Sequence, residues 1–423
     1  MQPNPAVNHL MGGDRGRPGS SPGVRKRLCT TGARHTIWSG VIMASSIEEA
    51  ISRETSPGFE GALASIVERI REQEARRQKV AQALSGLRGL TLNGLECTTE
   101  SCLVSQVKMD PLFDLKVAGV DGGLLEEQLH GLDLILVRVL AAIFHYRNGE
   151  LELAEYLPNE MPLPKLIDIA EPLDAWEFEL LAGMERQLAE TELAASAVEK
   201  SSAKVLFLDG SVVPQYVERF PHSSLLLNRY QRLIKSYERL YQKCMELEVS
   251  LAGVVKDSRG NRFVDIIRHG LSSTFDGLGL GKGDLEILER SRDTALLDHL
   301  LEVGERTMAF TYAERPASYV LRDLGAWATR VYAFYLKTVP FDRPLRVEFV
   351  DFRDNPAETA ANVASVIYAL SSHHDAFGLP SVIIEADACA RLAEEDLCIV
   401  RDSIADRIGP SIQFDLRRSR RPF

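Results

Sequence analysis

Lys116-Val117-Ala118-Gly119-Val120-Asp121-Gly122-Gly123 and Val205-Leu206-Phe207-Leu208-Asp209-Gly210-Ser211 decide how this chain is read. Each is a run of β-forming residues that reaches an aspartate followed at once by glycine. A buried strand ending in Asp-Gly delivers a carboxylate to the rim of a sheet, and the glycine lets the backbone turn away close to a ligand. One Asp-Gly is a common turn dipeptide and says little. Two such strands side by side hold two hard oxygen donors near each other, as a divalent-metal site requires.

Outward from the first segment, Leu132–Tyr146 and Leu151–Tyr156 are apolar, β-branched runs separated by the turn Arg147-Asn148-Gly149-Glu150, so three strands form an antiparallel meander. Pro158 to Pro172 reads as a proline-studded loop. Leu173 to Lys200 has helical spacing of Leu180, Leu181, Met184, Leu188 and Leu193, and leads into strand Val205–Asp209 through a connection long enough for a parallel crossover. Helix Ser224–Met245 and strand Leu251–Lys256 follow, then a glycine-rich loop over 270–283 and a helix over 284–303. Tyr332–Lys337 and Leu345–Asp351 read as paired strands, Ala357–Leu370 and Ile384–Leu392 as helices. Three antiparallel strands, a helix, a parallel strand and a helix are the order of a ribonuclease H-like core. The expected class is α/β (α+β), a ribonuclease H-like mixed sheet flanked by helices, with an N-terminal helical extension.

With 423 residues, 45% apolar and 26% charged, the composition is that of a soluble globular protein. The longest apolar stretch, near Leu132 to Phe144, is interrupted by Asp133 and Arg138, so no membrane span is expected. Six scattered cysteines without CxxC or zinc spacing suggest reduced thiols and a cytoplasmic protein, with a Cys97–Cys102 bridge as the minor alternative. A net charge of −11 argues against a wholly basic nucleic-acid surface, although phosphate grip depends on local clusters. The first 42 residues differ, with six basic residues against one acid and no hydrophobic period. They read as a disordered basic leader or an upstream misassigned start, with a transit peptide as the rival. Met43 then opens a good helix start, and Gly58 to Leu90 is strongly helical, with Leu63, Ile66, Ile70, Val80 and Leu84 in register for packing or self-pairing.

Asp121 and Asp209 lead the candidate chemistry, because a two-metal centre needs ions about 3.5–4 Å apart, bridged by a shared carboxylate. A third carboxylate is expected from the helix before the second strand, among Glu185, Glu190 and Glu192, of which at least two are surface charges. Lys256 ends its strand as the aspartates end theirs and could hold a phosphate oxygen, or serve as an ordinary strand-end charge. Arg346 and Glu348 share a strand face and could pair. His373 and His374 sit in a loop-like segment, where surface histidines are more often uninvolved.

Taken together, these segments resemble the NurA nuclease family. The resemblance rests on Val117–Gly123 and Leu206–Ser211, reinforced by Gly253–Ser258, Gly304–Thr307, Phe334–Lys337, Leu345–Glu348 and Gly378-Leu379-Pro380 leading to Glu385-Ala386-Asp387. It implies a ribonuclease H-like fold, Mn2+- or Mg2+-dependent cleavage of DNA, and a homodimer that works with a HerA-type hexameric ATPase to resect DNA ends in archaea and some bacteria. Carried over by position, Asp121 and Asp209 are metal carboxylates, the helix glutamate is Glu190 or Glu192, and the family tyrosine maps to Tyr335, with Tyr312 competing. Lys256 and Asp387 complete the expected set, with Asp121, Asp209, Glu190 and Asp387 as metal ligands. The family's last motif usually ends Glu-Ala-His; here Asp387 stands in the histidine position, where it can still bind Mg2+ or Mn2+ but cannot act as an imidazole. The expected division is a leader over 1–42, a helical dimerisation or packing segment over 43–100, a NurA-like nuclease domain over 101–415 and a loose basic tail over 416–423. A non-catalytic adaptor of a DNA translocase is the alternative, and a sugar-kinase- or actin-like ATPase a weaker one. The bulky, acidic Leu124-Leu125-Glu126-Glu127 after the first Asp-Gly disfavours phosphate and weakens the ATPase reading.

Overall fold

The computed structural model describes residues 57–86, 88, 98–216, 224–270, 280–316 and 319–409. The leader, the helix start at Met43, most of the glycine-rich loop and the basic tail lie outside these residues. The chain divides into residues 1–65 with 422–423, and residues 66–421. Of the first unit only 57–65 are described, as the opening turns of helix α1 (Pro57–Ser85).

The second unit is built on a mixed sheet of eleven strands among the described residues. In chain order they are β1 (Val104–Gln106), β2 (Leu115–Leu129), β3 (Leu132–Arg147), β4 (Glu150–Leu157), β5 (Lys165–Ile169), β6 (Val205–Asp209), β7 (Ser250–Val255), β8 (Glu305–Thr307), β9 (Phe310–Thr311), β10 (Val331–Leu336) and β11 (Leu345–Val350). The helices are α2 (Ala175–Ser201), α3 (Ser224–Glu246), α4 (Arg262–Gly270), α5 (Lys282–Arg290), α6 (Asp293–Leu300), α7 (Pro356–Ser371), α8 (Ser381–Ala390) and α9 (Glu394–Ile408), with a 3-10 segment over Tyr319–Thr329. The central order is β4-β3-β2-β6-β7-β11-β10. The meander β2–β4 is antiparallel, α2 crosses over, and β6 then pairs parallel with β2 and β7 with β6. This is the ribonuclease H-like order expected of the sequence.

Two helical layers bury the two faces of the central strands. Ala118, Val120, Leu206 and Leu208 pack under α2 and α3, whereas Val117, Val205 and Phe207 pack under α7 and α8. Alternation along each strand sorts these residues, since successive side chains point to opposite faces. Helix α2 starts sharply because Asp174 accepts from the Glu177 amide while Glu177 reaches back, a full capping box. Asn355 with Pro356 in the first turn does the same for α7. A third cluster gathers Val80, Ala81 and Leu84 of α1 around Phe263, Leu296 and Tyr335, so the end of α1 packs into the core while Ile66, Val67 and Ile70 stay exposed. No described helix is long and apolar enough to cross a membrane.

Two expectations are corrected. The proline-studded loop contains β5, which pairs with β3 over Lys165–Ile169. More important, β2 does not end at Asp121: it runs on to Leu129, and Asp121, Gly122 and Gly123 all sit mid-strand, opposite Leu140, Val139 and Arg138. The reason is tertiary. A Cβ on Gly119 would lie 2.7 Å from the Val382 carbonyl oxygen, and one on Gly123 2.2 Å from that of Ala390, so both glycines exist to let α8 rest on the strand. Gly122, on the other face, would collide with Glu190 Oε1 at 2.6 Å. Only Gly210, at φ 109, makes the left-handed turn the dipeptide suggests. Gly123→Ala is therefore expected to cost about 1–3 kcal/mol or more through overpacking. Gly61→Ala, which meets open space on exposed α1, should gain several tenths to about 1 kcal/mol. Urea denaturation of both variants checks this pair.

Candidate metal centre

The register of β2 and β6 explains how two distant segments deliver adjacent carboxylates. Val117 to Val120 pair in parallel with Val205 to Leu208, so Asp121 and Asp209 are the next residues in step. Both fall on the face that α8 covers, and α8 lies close enough, across Gly119 and Gly123, to add Asp387. Oxygen atoms of Asp121, Asp209 and Asp387 all come within 4.8 Å of one another.

From the opposite face comes Glu190. Helix α2 carries it directly over Gly122, where the missing side chain leaves room for the carboxylate. Arg186, one turn earlier, places Nη1 3.3 Å from Glu190 Oε1 and donates to the Gly122 carbonyl at 3.4 Å. The contact to Glu190 is an ion pair without hydrogen-bond geometry, so Glu190 Oε1 is buried with its hydrogen-bonding capacity unfilled. Arg186 was not foreseen, although its i, i+4 spacing to Glu190 was there to be read.

The electrostatics are those of acids crowded together in a poorly hydrated place. Burial, and then the charge of Asp209, push Asp121 up to about 7, against a hydrogen bond from the Gly122 amide. Burial also pushes Glu190 up to about 8; Arg186 opposes this, and Asp121 and Asp209 add to it. Lys256 places Nζ 2.5 Å from Asp209 and 3.7 Å from Asp387. Burial works to lower the lysine's pKa, but the carboxylates around it win and raise it. Asp387 is also held by Arg391 at 3.2 Å. Hard oxygens converging on one point, with an unfilled buried carboxylate oxygen beside them, are a donor set suited to Mg2+ or Mn2+.

Other candidates lie elsewhere. Glu192 is exposed and pairs with Arg232 at 3.8 Å, whereas Glu190 sits over Gly122 beside Asp121, though outside the set of three mutually close aspartates. Glu185 is buried too, bound to Arg229 at 2.5 Å, so against expectation only Glu192 of the three is a surface charge. Tyr335 is fully buried; its hydroxyl donates to Asp293 at 2.9 Å and lies 3.4 Å from both Arg346 and Ser258. Tyr312 instead lines a cavity of about 770 Å³ that also takes in Glu190, Asp209, Ser211, Arg346 and Glu348. The geometry thus favours Tyr312 over Tyr335 as the tyrosine with access to ligand. Among the described residues the His373 and His374 rings make only local backbone contacts, to Leu370 and Ala376.

Arg346 and Glu348 do pair, at 2.7 Å, and the pair is buried. Ser211, two residues beyond Asp209, donates to Glu348, and the Arg346 guanidinium lies 5.2 Å from the Tyr312 ring centre. The pair therefore braces the loop behind Asp209. Arg346→Met leaves Glu348 buried and unpaired and should cost about 3–5 kcal/mol, while adding Glu348→Leu should restore much of it. Urea unfolding of the single and double variants reads this directly.

The NurA domain family model matches residues 115–392, more than half of the chain. This chain belongs to the NurA family. No curated relative matches it by sequence. Among solved structures it is similar to the NurA nuclease from Sulfolobus solfataricus, with 14% identity, TM-score 0.49, and 83% of this chain and 97% of that one covered. A NurA structure with manganese shows 12% identity and TM-score 0.40 over 73% of this chain and 93% of that one. Human ENDOV shows 15% identity and TM-score 0.31 over 71% and 94%. At such distance the likenesses carry no residue roles. The NurA match spans Asp121, Glu190, Asp209, Lys256 and Asp387, so the whole carboxylate centre lies inside the family domain.

Proposed function

We propose that this NurA-family protein is a divalent-metal-dependent deoxyribonuclease, with Mn2+ or Mg2+ as its cofactor. The observation that carries the reading is the convergence of Asp121, Asp209 and Asp387 within 4.8 Å from two neighbouring strands and a helix. The chemistry a divalent cation supplies when bound in such a cluster is Lewis-acid stabilisation of phosphodiester charge and activation of water. Asp121, Asp209 and Asp387 would hold it, with Glu190 reaching in over Gly122. Lys256 neutralises part of the acidic cluster and, once a cation takes over that task, is free to hold a phosphate oxygen as a point charge. Arg186 keeps the Glu190 carboxylate in place. Asp387 in the position where the family usually has histidine keeps the ligand set all-oxygen and able to hold Mg2+ or Mn2+, while the same departure is the feature that suits the adaptor reading.

The same reading includes action at DNA ends during recombinational repair, as an endonuclease or 5′-3′ exonuclease, beside a HerA-type hexameric ATPase and as a homodimer. The exposed apolar Ile66, Val67 and Ile70 of α1 offer a surface for self-pairing. Digestion of linear DNA is the test: cleavage that needs a divalent cation and that EDTA stops is expected. ATP turnover without cleavage would point to the ATPase class, and neither activity to the adaptor.

A further inference from the structure

The cavity of about 770 Å³ that takes in Asp209 and Glu190 is also lined by three arginines that the carboxylate centre does not use: Arg259, Arg262 and Arg292. Arg259 lies three residues beyond Lys256 in the loop after β7, Arg262 opens α4, and Arg292 immediately precedes α6. One fully buried side chain gathers them. Asp293 accepts from the Phe263 and Val264 amides at 3.0 and 2.9 Å, and its own amide donates to the Gly260 carbonyl at 2.9 Å. Arg292 Nη1 donates to the Arg259 carbonyl at 2.8 Å. A Cβ on Gly260 would lie 3.1 Å from the Tyr335 hydroxyl, so the loop is seated on the buried pair of Tyr335 and Asp293.

The acids of the cavity are largely paired elsewhere. Glu190 has Arg186, Glu348 has Arg346, Asp209 has Lys256 and Asp265 has Arg268. The remaining acid of the lining, Asp257, is exposed. Among the described residues Arg259, Arg262 and Arg292 have no carboxylate within ion-pair distance. Arg262 makes long contacts of 3.5 Å to the Thr311 carbonyl and hydroxyl. Guanidinium forks left without a carboxylate partner are matched in shape and charge to phosphate oxygens. Asp209 belongs both to the set of three converging carboxylates and to the cavity lining, so an anion held here directly adjoins the centre. The volume falls in the range of roughly 300–1,000 Å³ that takes a small ligand, which suits a nucleotide and is too small for a folded protein surface.

We propose that Arg259, Arg262 and Arg292 form a subsite for the phosphates of a DNA strand that neighbour the one cut at the carboxylate centre. This rests on the nuclease reading and adds to it the residues that seat the strand on one side of the scissile bond. Three cations supplied by one loop and the starts of two helices suit an occupant with a charge at each successive step. They act as positioning residues, since they hold the substrate and leave the cation to the carboxylates.

The test compares the full chain with its Arg259→Gln/Arg262→Gln/Arg292→Gln variant and with Arg259→Gln alone, a change at an exposed side chain. Binding of a single strand of about 20 nucleotides is measured in Ca2+ across roughly 50–200 mM salt, and its cleavage in Mn2+ as kcat and KM. The triple variant is expected to bind the strand about tenfold or more weakly, with a salt slope shallower by about 2, since each lost single-strand contact removes ~0.7. Its KM should rise by a similar factor while kcat falls less. Arg259→Gln alone should remove about 0.7 of the slope. Both variants should keep the rise in Tm that Mn2+ gives the wild type, which shows the fold and the cation site intact. Equal affinity, slope and KM in a wild type that cleaves DNA would overturn the subsite and leave the arginines to another anion. A loss confined to kcat would overturn it as well. A wild type that binds the strand without cutting it, and loses affinity and slope in the triple variant, would uphold the subsite and contradict the nuclease reading.

Discussion

Replacing Asp121 with asparagine is expected to lower Mn2+-dependent cleavage of linear DNA by about three orders of magnitude or more, the equivalent of ~4 kcal/mol at 1.36 kcal/mol per decade. The argument is geometric. Asp121 is buried mid-strand, its carboxylate lies within 4.8 Å of those of Asp209 and Asp387, and Glu190 stands nearby over Gly122 without joining that set of three. Asparagine keeps the shape and can still accept from the Gly122 amide, which the aspartate does at 2.7 Å. Folding should therefore survive, and the loss should appear in turnover. Asp209→Asn should behave alike, although Lys256 would then lose its closest partner. A cleavage time course on purified variants, with circular dichroism to confirm folding, measures the effect.

The second large effect concerns stability. In the metal-free protein four acids crowd one small volume, with Asp121 raised to about 7 and Glu190 to about 8 by burial and mutual repulsion. A cation that binds only the folded state relieves this and adds stability as RT ln(1 + [L]/Kd), about 2.7 kcal/mol at a hundredfold excess over Kd. Mn2+ should thus raise the Tm of the wild type by several degrees. Asp121→Asn should show little or no Mn2+-dependent rise, yet in EDTA it should be as stable as the wild type or more so, because one repelling charge is gone. Differential scanning calorimetry with and without Mn2+ separates the two contributions. A variant that lost stability equally in both conditions would mean that Asp121 serves the fold rather than a cation.

The strands and helices that place the centre were readable because burial imprints its period on sequence. The meander β2–β4, the crossover helix and strand Val205–Asp209 are visible as alternation, helical spacing and a turn at Asn148-Gly149. Asp121 and Asp209 were equally visible, but for a reason only half right. Asp209-Gly210 is the strand-end turn that the dipeptide suggests, whereas Asp121-Gly122-Gly123 continues as strand. The two motifs look alike locally; what separates them is the backbone of α8, more than 260 residues downstream, and the side chain of Glu190 on the other face. Local turn rules contain no information about either. The choice between Glu190 and Glu192 was likewise closed to reading from spacing, because two residues on one helix point to different faces and only the neighbour decides which is buried. Tyr335 and Tyr312 differ for the same reason: Asp293 and Arg346 lock the first beneath the cavity, and the second opens onto it. Strand β5 escaped notice because five residues among prolines carry too short a period to register.

The central claim, that two adjacent strands and one helix give their aspartates to a single cation, is tested most directly by a crystal structure of the protein soaked in Mn2+ with anomalous scattering recorded at the manganese edge. The account predicts an anomalous peak about 2.0–2.3 Å from carboxylate oxygens of Asp121, Asp209 and Asp387. Manganese bound elsewhere, or those three carboxylates without a cation at saturating Mn2+, would contradict it.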